Sequence, residues 1–332
     1  MRNGILNTLK MFMIVLSIGL LSVLVISCDS GSGGGGNDRT PATIDQSSGE
    51  SSVNLAFMTN ELSDGLQSIT DSFVGMGAEE GKAPITPLVK PILQFIERRI
   101  YDDQQIYATL GSESIDESCD GSGSISGSLN WDGPDNPDGC SDVSNLEGNI
   151  TLTNCGEFYP FKIGGTCTFT INGPLCNPTS IDIRYTNYSV TSSTQPDYYS
   201  MDSFSLDVNG IQWNGDMITQ QSLVLNGDLQ GNIFGHEFSA EYYNYTTDIK
   251  TTNDFDFTVE LSGSLTGGCL SGWVTFATDV PIAISDTDSC PSAGQLRLSG
   301  DGEMTVIFNP DGSVDIGDIH YDSCDDIGEN CF

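Results

Sequence analysis

From Gly121 to the carboxyl end, apolar residues recur at every second position between Ser, Thr, Asn and Asp. The runs are Ile125, Leu129, Trp131; Ile150, Leu152; Phe169, Ile171; Phe204, Leu206, Val208; Phe255, Phe257, Val259, Leu261; and Met304, Val306, Phe308. A period of two puts these side chains on one face of a strand and the polar ones on the other, the pattern of antiparallel sheet with one solvated side. Turn-forming pairs punctuate the runs: Asn172-Gly173, Asn209-Gly210, Asn214-Gly215, Asn226-Gly227, Asp301-Gly302 and Asn309-Pro310-Asp311-Gly312. Residues 119–332 therefore read as one antiparallel β domain.

A short echo runs through that region: Ile125-Ser126-Gly127-Ser128-Leu129, Leu146-Glu147-Gly148-Asn149-Ile150, Leu225-Asn226-Gly227-Asp228-Leu229 and Leu261-Ser262-Gly263-Ser264-Leu265. Glycine inside a strand marks a bulge, a bend or a close backbone approach. A strongly curved, half-barrel-like sheet is the expectation, with sandwich packing as the alternative. The irregular spacing of the echoes is not that of a solenoid.

Ahead of this region, Leu55, Met58, Leu62, Leu66, Ile69, Phe73 and Met76 recur at steps of three or four, as do Leu88, Ile92, Ile96 and Ile100. Those stripes predict a helical hairpin over 51–110, broken at Gly75–Gly81 and resting on the sheet. The fold class is α+β, mainly β. Residues 28–50, rich in Gly, Ser, Thr, Asn and Asp, bury too little apolar surface to order themselves and read as a tether with an r.m.s. reach of roughly 25 Å.

The first ten residues carry Arg2 and Lys10 and no acid, and Met11–Ile26 is uncharged and apolar. This is the order of a secretory signal, and the run is shorter than the roughly 20 residues a spanning helix needs. It ends in Val25-Ile26-Ser27-Cys28, which resembles the lipobox of bacterial lipoproteins, cleaved ahead of its cysteine by signal peptidase II. The resemblance implies removal of 1–27, a diacylglyceryl thioether on Cys28, a palmitate-type acyl chain on its amino group, and a body held at the membrane of the cell envelope, in the periplasm or at the cell surface. Asp29 resembles the inner-membrane retention signal of enteric bacteria; the rule fails elsewhere, so inner and outer membrane both stay open.

The chain carries 11 basic and 46 acidic side chains, a formal charge of −35. Such a surface repels nucleic acid and anionic headgroups. Ten cysteines in an exported chain imply disulfides, and with Cys28 acylated the remaining nine leave one thiol over. Hairpin register pairs Cys119 with Cys155 and brings Cys176 toward Cys140. Proximity in sequence pairs Cys269 with Cys290 and Cys324 with Cys331, which leaves Cys167 free and buried in a strand.

Candidate chemistry is sparse. Asp132, Asp135, Asp138 and Asp142 in a Gly- and Pro-rich loop supply the oxygen ligands calcium takes, although the spacing departs from EF-hand loops and a closing Glu is missing. No other cofactor is implied. Asp318, His320 and Asp322 would project from one strand face, a weak transition-metal arrangement. No GxSxG elbow occurs, and His236-Glu237 lacks a second histidine for HExxH. The aromatics Tyr198-Tyr199 and Tyr242-Tyr243-Asn244-Tyr245 read as paving of a sheet face. The expectation is a non-catalytic envelope lipoprotein, a binding or structural module whose partner is a protein or an apolar ligand in the envelope. Its alternatives are a carrier of an apolar ligand between sheet and helices, and a polysaccharide hydrolase using paired carboxylates.

Overall fold

The computed structural model describes residues 39–53, 112–119, 122–133, 142–156, 161–192, 198–215, 217–233, 236–252, 256–268, 270–285 and 290–327. The signal segment, Cys28 and all of the expected helical hairpin beyond Val53 lie outside them. The chain is mainly β: the described residues form fourteen strands in one antiparallel sheet, ordered as they occur in sequence. They are β1 (Ser112–Ser118), β2 (Ser124–Asp132), β3 (Ser144–Cys155), β4 (Phe161–Pro174), β5 (Ser180–Ser192), β6 (Tyr198–Asn214), β7 (Met217–Ile233), β8 (His236–Thr251), β9 (Asp256–Gly267), β10 (Val274–Ser285), β11 (Ala293–Ser299), β12 (Glu303–Phe308), β13 (Val314–Ile316) and β14 (Ile319–Tyr321).

Two compact units divide the chain. Unit 1 joins the amino-terminal segment through Asn54 to Thr247–Phe332, and unit 2 spans Leu55–Thr246.

In unit 2 the β domain begins at β1, seven residues earlier than its expected start at Cys119. Ser-Glu-Ser-Ile-Asp-Glu-Ser has one buried apolar residue, Ile115, and so carries no period-two signal. Its acids suit a strand at the end of the order, where charge discourages further pairing. Inward residues line up in lateral rows through the registers. One row runs Ile115, Gly127, Ile150, Cys167, Tyr185, Phe204, Gly227, and the next runs Leu129, Gly148, Phe169, Ile183, Leu206, Leu225. Gly148 sits in that row because a Cβ there would collide with the Phe169 ring, so glycine makes room for the aromatic of the next strand.

Four positions break the alternation in the same way. Asn145, Asn154, Asn187 and Asn244 are, among the described residues, the non-glycine residues with positive φ (45–49°), and each lies between buried residues three apart: Val143 and Leu146, Leu152 and Cys155, Tyr185 and Tyr188, Tyr242 and Tyr245. Each asparagine absorbs the extra residue of a bulge in the left-handed region it tolerates, and the flanking side chains return to one face. The strand register shifts at the first three sites.

The expected turns divide. Asn214-Gly215, Asp301-Gly302 and Asn309–Gly312 join β6–β7, β11–β12 and β12–β13. Asn226-Gly227 is instead in the middle of β7, Asn209-Gly210 lies within β6 beside a register shift, and Asn172-Gly173 is near the end of β4. The positive φ these pairs permit serves bulges as readily as hairpins.

In unit 1 the inward residues are mostly aliphatic: Val274, Ile282, Leu296, Leu298, Val306, Val314 and Ile316, with Phe276 and Phe308. A helix at 46–53, α1, packs on β12 and β13; a Cβ at Gly49 would collide with the Met304 sulfur and come within 3.0 Å of Ile316 Cγ2. Residues 39–50, expected within the tether, are thus part of unit 1, and 46–53 are helical up to the last described residue of this segment. Composition hid this because α1 contacts its neighbours through Gly and Ser, and because its start is fixed by local hydrogen bonds. The Asp45 carboxylate accepts the Ser48 N–H (2.9 Å), and the Ser48 hydroxyl oxygen accepts the Asp45 N–H (2.8 Å), a reciprocal cap.

Candidate functional site

The bulges at Asn187 and Asn244 place four tyrosines on the inner face of unit 2. Tyr185 and Tyr188 meet at 4.7 Å between ring centroids, Tyr185 and Phe204 at 6.4 Å, Phe204 and Tyr242 at 6.1 Å, and Tyr242 and Tyr245 at 5.8 Å. Cys167, directly across from Tyr185 on β4, is a free, fully buried thiol. Burial pushes its pKa far above the ordinary thiol range, so it stays protonated and unreactive. Tyr185 and Tyr188 are raised by burial and then by the neighbouring thiol, and Tyr185 also by Tyr188.

Among the described residues the Tyr185 hydroxyl has no hydrogen-bond partner. A buried phenol left so costs about 1–3 kcal/mol, an unusual expense in a native core. Reading the Tyr242–Tyr245 run as paving holds for Tyr242 and Tyr245, which are buried, while Tyr243 faces out.

On the outward face of unit 2, Asp182 and Asp207 stand opposite each other on β5 and β6. Arg184 Nη2 lies 2.8 Å from Asp182 Oδ2 and 3.6 Å from Asp207 Oδ1. Burial, then the hydrogen bond and charge of Asp182, push Asp207 up to about 6 against the lowering by Arg184. Asp182 and Asp207 are a carboxylate pair of the kind a hydrolase would need. The pair lies on the face away from the core and is tied to a guanidinium.

In unit 1, His320 does not align with Asp318 and Asp322 as three alternate strand residues: Asp318 falls in the turn ahead of the three-residue β14. His320 Nδ1 instead meets Asp315 Oδ1 across the β13–β14 pair at 2.6 Å, with Asp322 Oδ1 3.7 Å from Nε2. Asn309 Nδ2 donates to Asp315 Oδ2 (3.0 Å), while the Ser313 N–H (3.1 Å) and hydroxyl (2.6 Å) donate to Asp311 Oδ1. These bonds hold Asp315 and Asp311 below the usual carboxylate range, and the bond to Asp315 raises His320.

Of the candidate calcium loop, Asp135 and Asp138 lie outside the described residues. Asp132 and Asp142 are both exposed, and Asp132 Oδ2 accepts from Asn145 Nδ2 at 2.8 Å, so the asparagine of the first bulge ties down the loop's base. Among the described residues no three His, Cys, Asp or Glu side chains form a group able to hold a metal ion.

Disulfides join Cys119 to Cys155, the pair hairpin register gives, and Cys290 to Cys324. The second overturns Cys269–Cys290 and Cys324–Cys331. Closeness in sequence misled because β11 to β14 fold back between the two cysteines and bring residues 34 apart to a Cα separation of 5.7 Å. Cys176 is also disulfide-bonded, and Cys140, Cys269 and Cys331 lie outside the described residues. No protein-family model, no curated protein and no solved structure matches the chain.

Proposed function

We propose that this chain is an exported, acylated lipoprotein of the bacterial envelope, anchored through Cys28 and acting as a non-catalytic binding module. The observation that carries the reading is the apolar run closed by Val25-Ile26-Ser27-Cys28 behind a basic start. Support comes from the body: disulfides at Cys119–Cys155 and Cys290–Cys324 belong to an oxidising compartment, and the acidic composition suits a soluble body beside the membrane. Two or three acyl chains give stable attachment where one is marginal. Mass spectrometry of the mature amino-terminal peptide tests it. The expected peptide begins at Cys28 and carries diacylglyceryl and N-acyl mass, and Cys28→Ser abolishes both the added mass and membrane fractionation. A mature chain beginning upstream of Cys28, or a bare Cys28, overturns it.

A second reading rests on Tyr185. In a carrier of an apolar ligand, the phenol, without a partner among the described residues, would donate to the ligand's one acceptor among the apolar rings around it. Native mass spectrometry of protein extracted from its own membrane tests this: a co-purifying apolar molecule retained by the parent and lost in Tyr185→Phe supports carriage, and a ligand-free parent overturns it.

A further inference from the structure

The segment 39–53 is a strap built into unit 1. Pro41 pairs with Trp273 in a parallel bridge, with Ala42 N–H donating to Trp273 O and Trp273 N–H to Thr40 O, both at 2.9 Å. Asp301 clamps the next stretch. Its N–H donates to Ala42 O (2.9 Å), and its carboxylate accepts the Thr43 hydroxyl and the Ile44 N–H, each at 3.2 Å. The Arg39 guanidinium lies 5.0 Å over the Trp273 ring. At the far end, Tyr321 on β14 donates to Glu50 and accepts from Gln46 Nε2 (2.9 Å).

Three glycines show that unit 1 is shaped for this strap. A Cβ at Gly272 would lie 2.6 Å from Thr40 O, one at Gly300 would collide with Ala42 O, and one at Gly49 would collide with Met304. None of the three has a positive φ, so their backbones do not require glycine and the space itself accounts for them.

We infer that unit 1 is the body that takes the load of the lipid anchor, because the strap fixes the chain to it from Arg39 on and leaves eleven peptide links between Cys28 and Arg39. This rests on acylation of Cys28. Eleven links span at most about 40 Å fully extended. With the strap released, the run from Cys28 through Val53 has 25 links and spans at most about 90 Å fully extended. The anchor is thus taken up by the unit holding β9–β14, and a pull on the lipid is borne first by the Trp273 and Asp301 contacts.

The test uses the full acylated protein in phosphatidylcholine vesicles with an acceptor dye on the headgroups and a donor at the exposed position 318 of unit 1. Energy transfer is expected to be high in the parent and to fall when about 22 Gly/Ser residues are inserted after Gly36. It should fall partway toward that level in Arg39→Ala/Asp301→Ala. Gly272→Val, which wedges the strap outward, provides an independent release. Hydrogen exchange should show the amides of 39–53 protected in the parent and fast in the released variants. Fast exchange in the parent, or equal transfer in parent and released variants, overturns the inference. Absence of acyl mass on Cys28 with those amides still protected overturns the anchor and this placement while leaving the strap in place.

Discussion

The two units solve the same packing problem with different materials. Unit 1 has a largely aliphatic inner face, and its one tyrosine against α1, Tyr321, has both hydrogen-bond roles of its hydroxyl filled by Glu50 and Gln46. Unit 2 packs tyrosines around a free thiol, bends its strands at four asparagine bulges, and leaves the Tyr185 hydroxyl buried without a partner among the described residues. Both units bury unpartnered hydroxyls, but those of unit 1, Ser51 and Thr247, are small side chains close to their own backbone. A local rule broken by a large, costly group without visible compensation is where function is to be sought.

The disulfides set the scale for testing that contrast. Cys119–Cys155 closes 36 residues in unit 2 and Cys290–Cys324 closes 34 in unit 1, so loop entropy gives each about 3.5–4 kcal/mol. Replacing both cysteines of either pair by serine should lower stability by nearly the same amount in urea unfolding. A clear inequality would mean that one unit's unfolded state is already constrained. Next in size is the bulge: Asn187→Val, forcing a β-branched residue into positive φ, should cost about 2 kcal/mol, while Asn187→Gly stays within about 0.5 kcal/mol of the parent. Equal losses for both would show that the asparagine side chain, not its backbone, holds the bulge.

The sharpest comparison is one substitution made twice. Tyr185→Phe removes a hydroxyl that has no partner among the described residues and should stabilise unit 2 by about 1 kcal/mol or more. Tyr321→Phe removes a donor and an acceptor that are both used and should destabilise unit 1 by about 1 kcal/mol. Opposite signs in thermal unfolding are the expected outcome. A destabilising Tyr185→Phe would mean the phenol has a partner in solution and would remove the strongest argument for a ligand there.

Period two with turn pairs is enough to read an antiparallel β body, because burial of one sheet face leaves its trace at every second residue. The features that period two misses depart from it for physical reasons. The bulges carry a repeated signature of their own, Val-Ser-Asn-Leu at 143–146, Leu-Thr-Asn-Cys at 152–155, Tyr-Thr-Asn-Tyr at 185–188 and Tyr-Tyr-Asn-Tyr at 242–245. Each has two apolar residues three apart, the latter preceded by asparagine, a spacing that is noise to a strand pattern until left-handed geometry is allowed for. Without it the tyrosine cluster cannot be assembled, since neighbouring tyrosines fall on opposite faces. The strap is hidden for another reason. Its order comes from contacts with Trp273, Asp301 and Tyr321, more than 220 residues away, and a composition window sees only its Gly and Ser. The Asp45/Ser48 cap is the one local sign.

The smallest effect expected is a difference in pH response. Asp207, its side chain 23 % exposed, has a folded pKa near 6, well above the ordinary aspartate value of about 3.9. Its protonated form is therefore favoured by folding: the stability it supplies is full at about pH 3 and is lost as pH rises through about 6. With solvent screening and the nearby Arg184, about 1 kcal/mol is the expected size. Asp315 and Asp311 in unit 1 run the other way, contributing above the ordinary aspartate range and losing that contribution as pH falls through their lowered folded values; His320, raised, loses its share as pH rises through its own. Asp207→Asn should flatten the stability profile of unit 2 between about pH 4 and 6 and stabilise it at about pH 8, leaving the acid limb of unit 1 unchanged. If instead Asp207→Asn weakens the protein at that alkaline end, the carboxylate is held there by a cation, and the outward face of β5 and β6 becomes another place to seek a ligand.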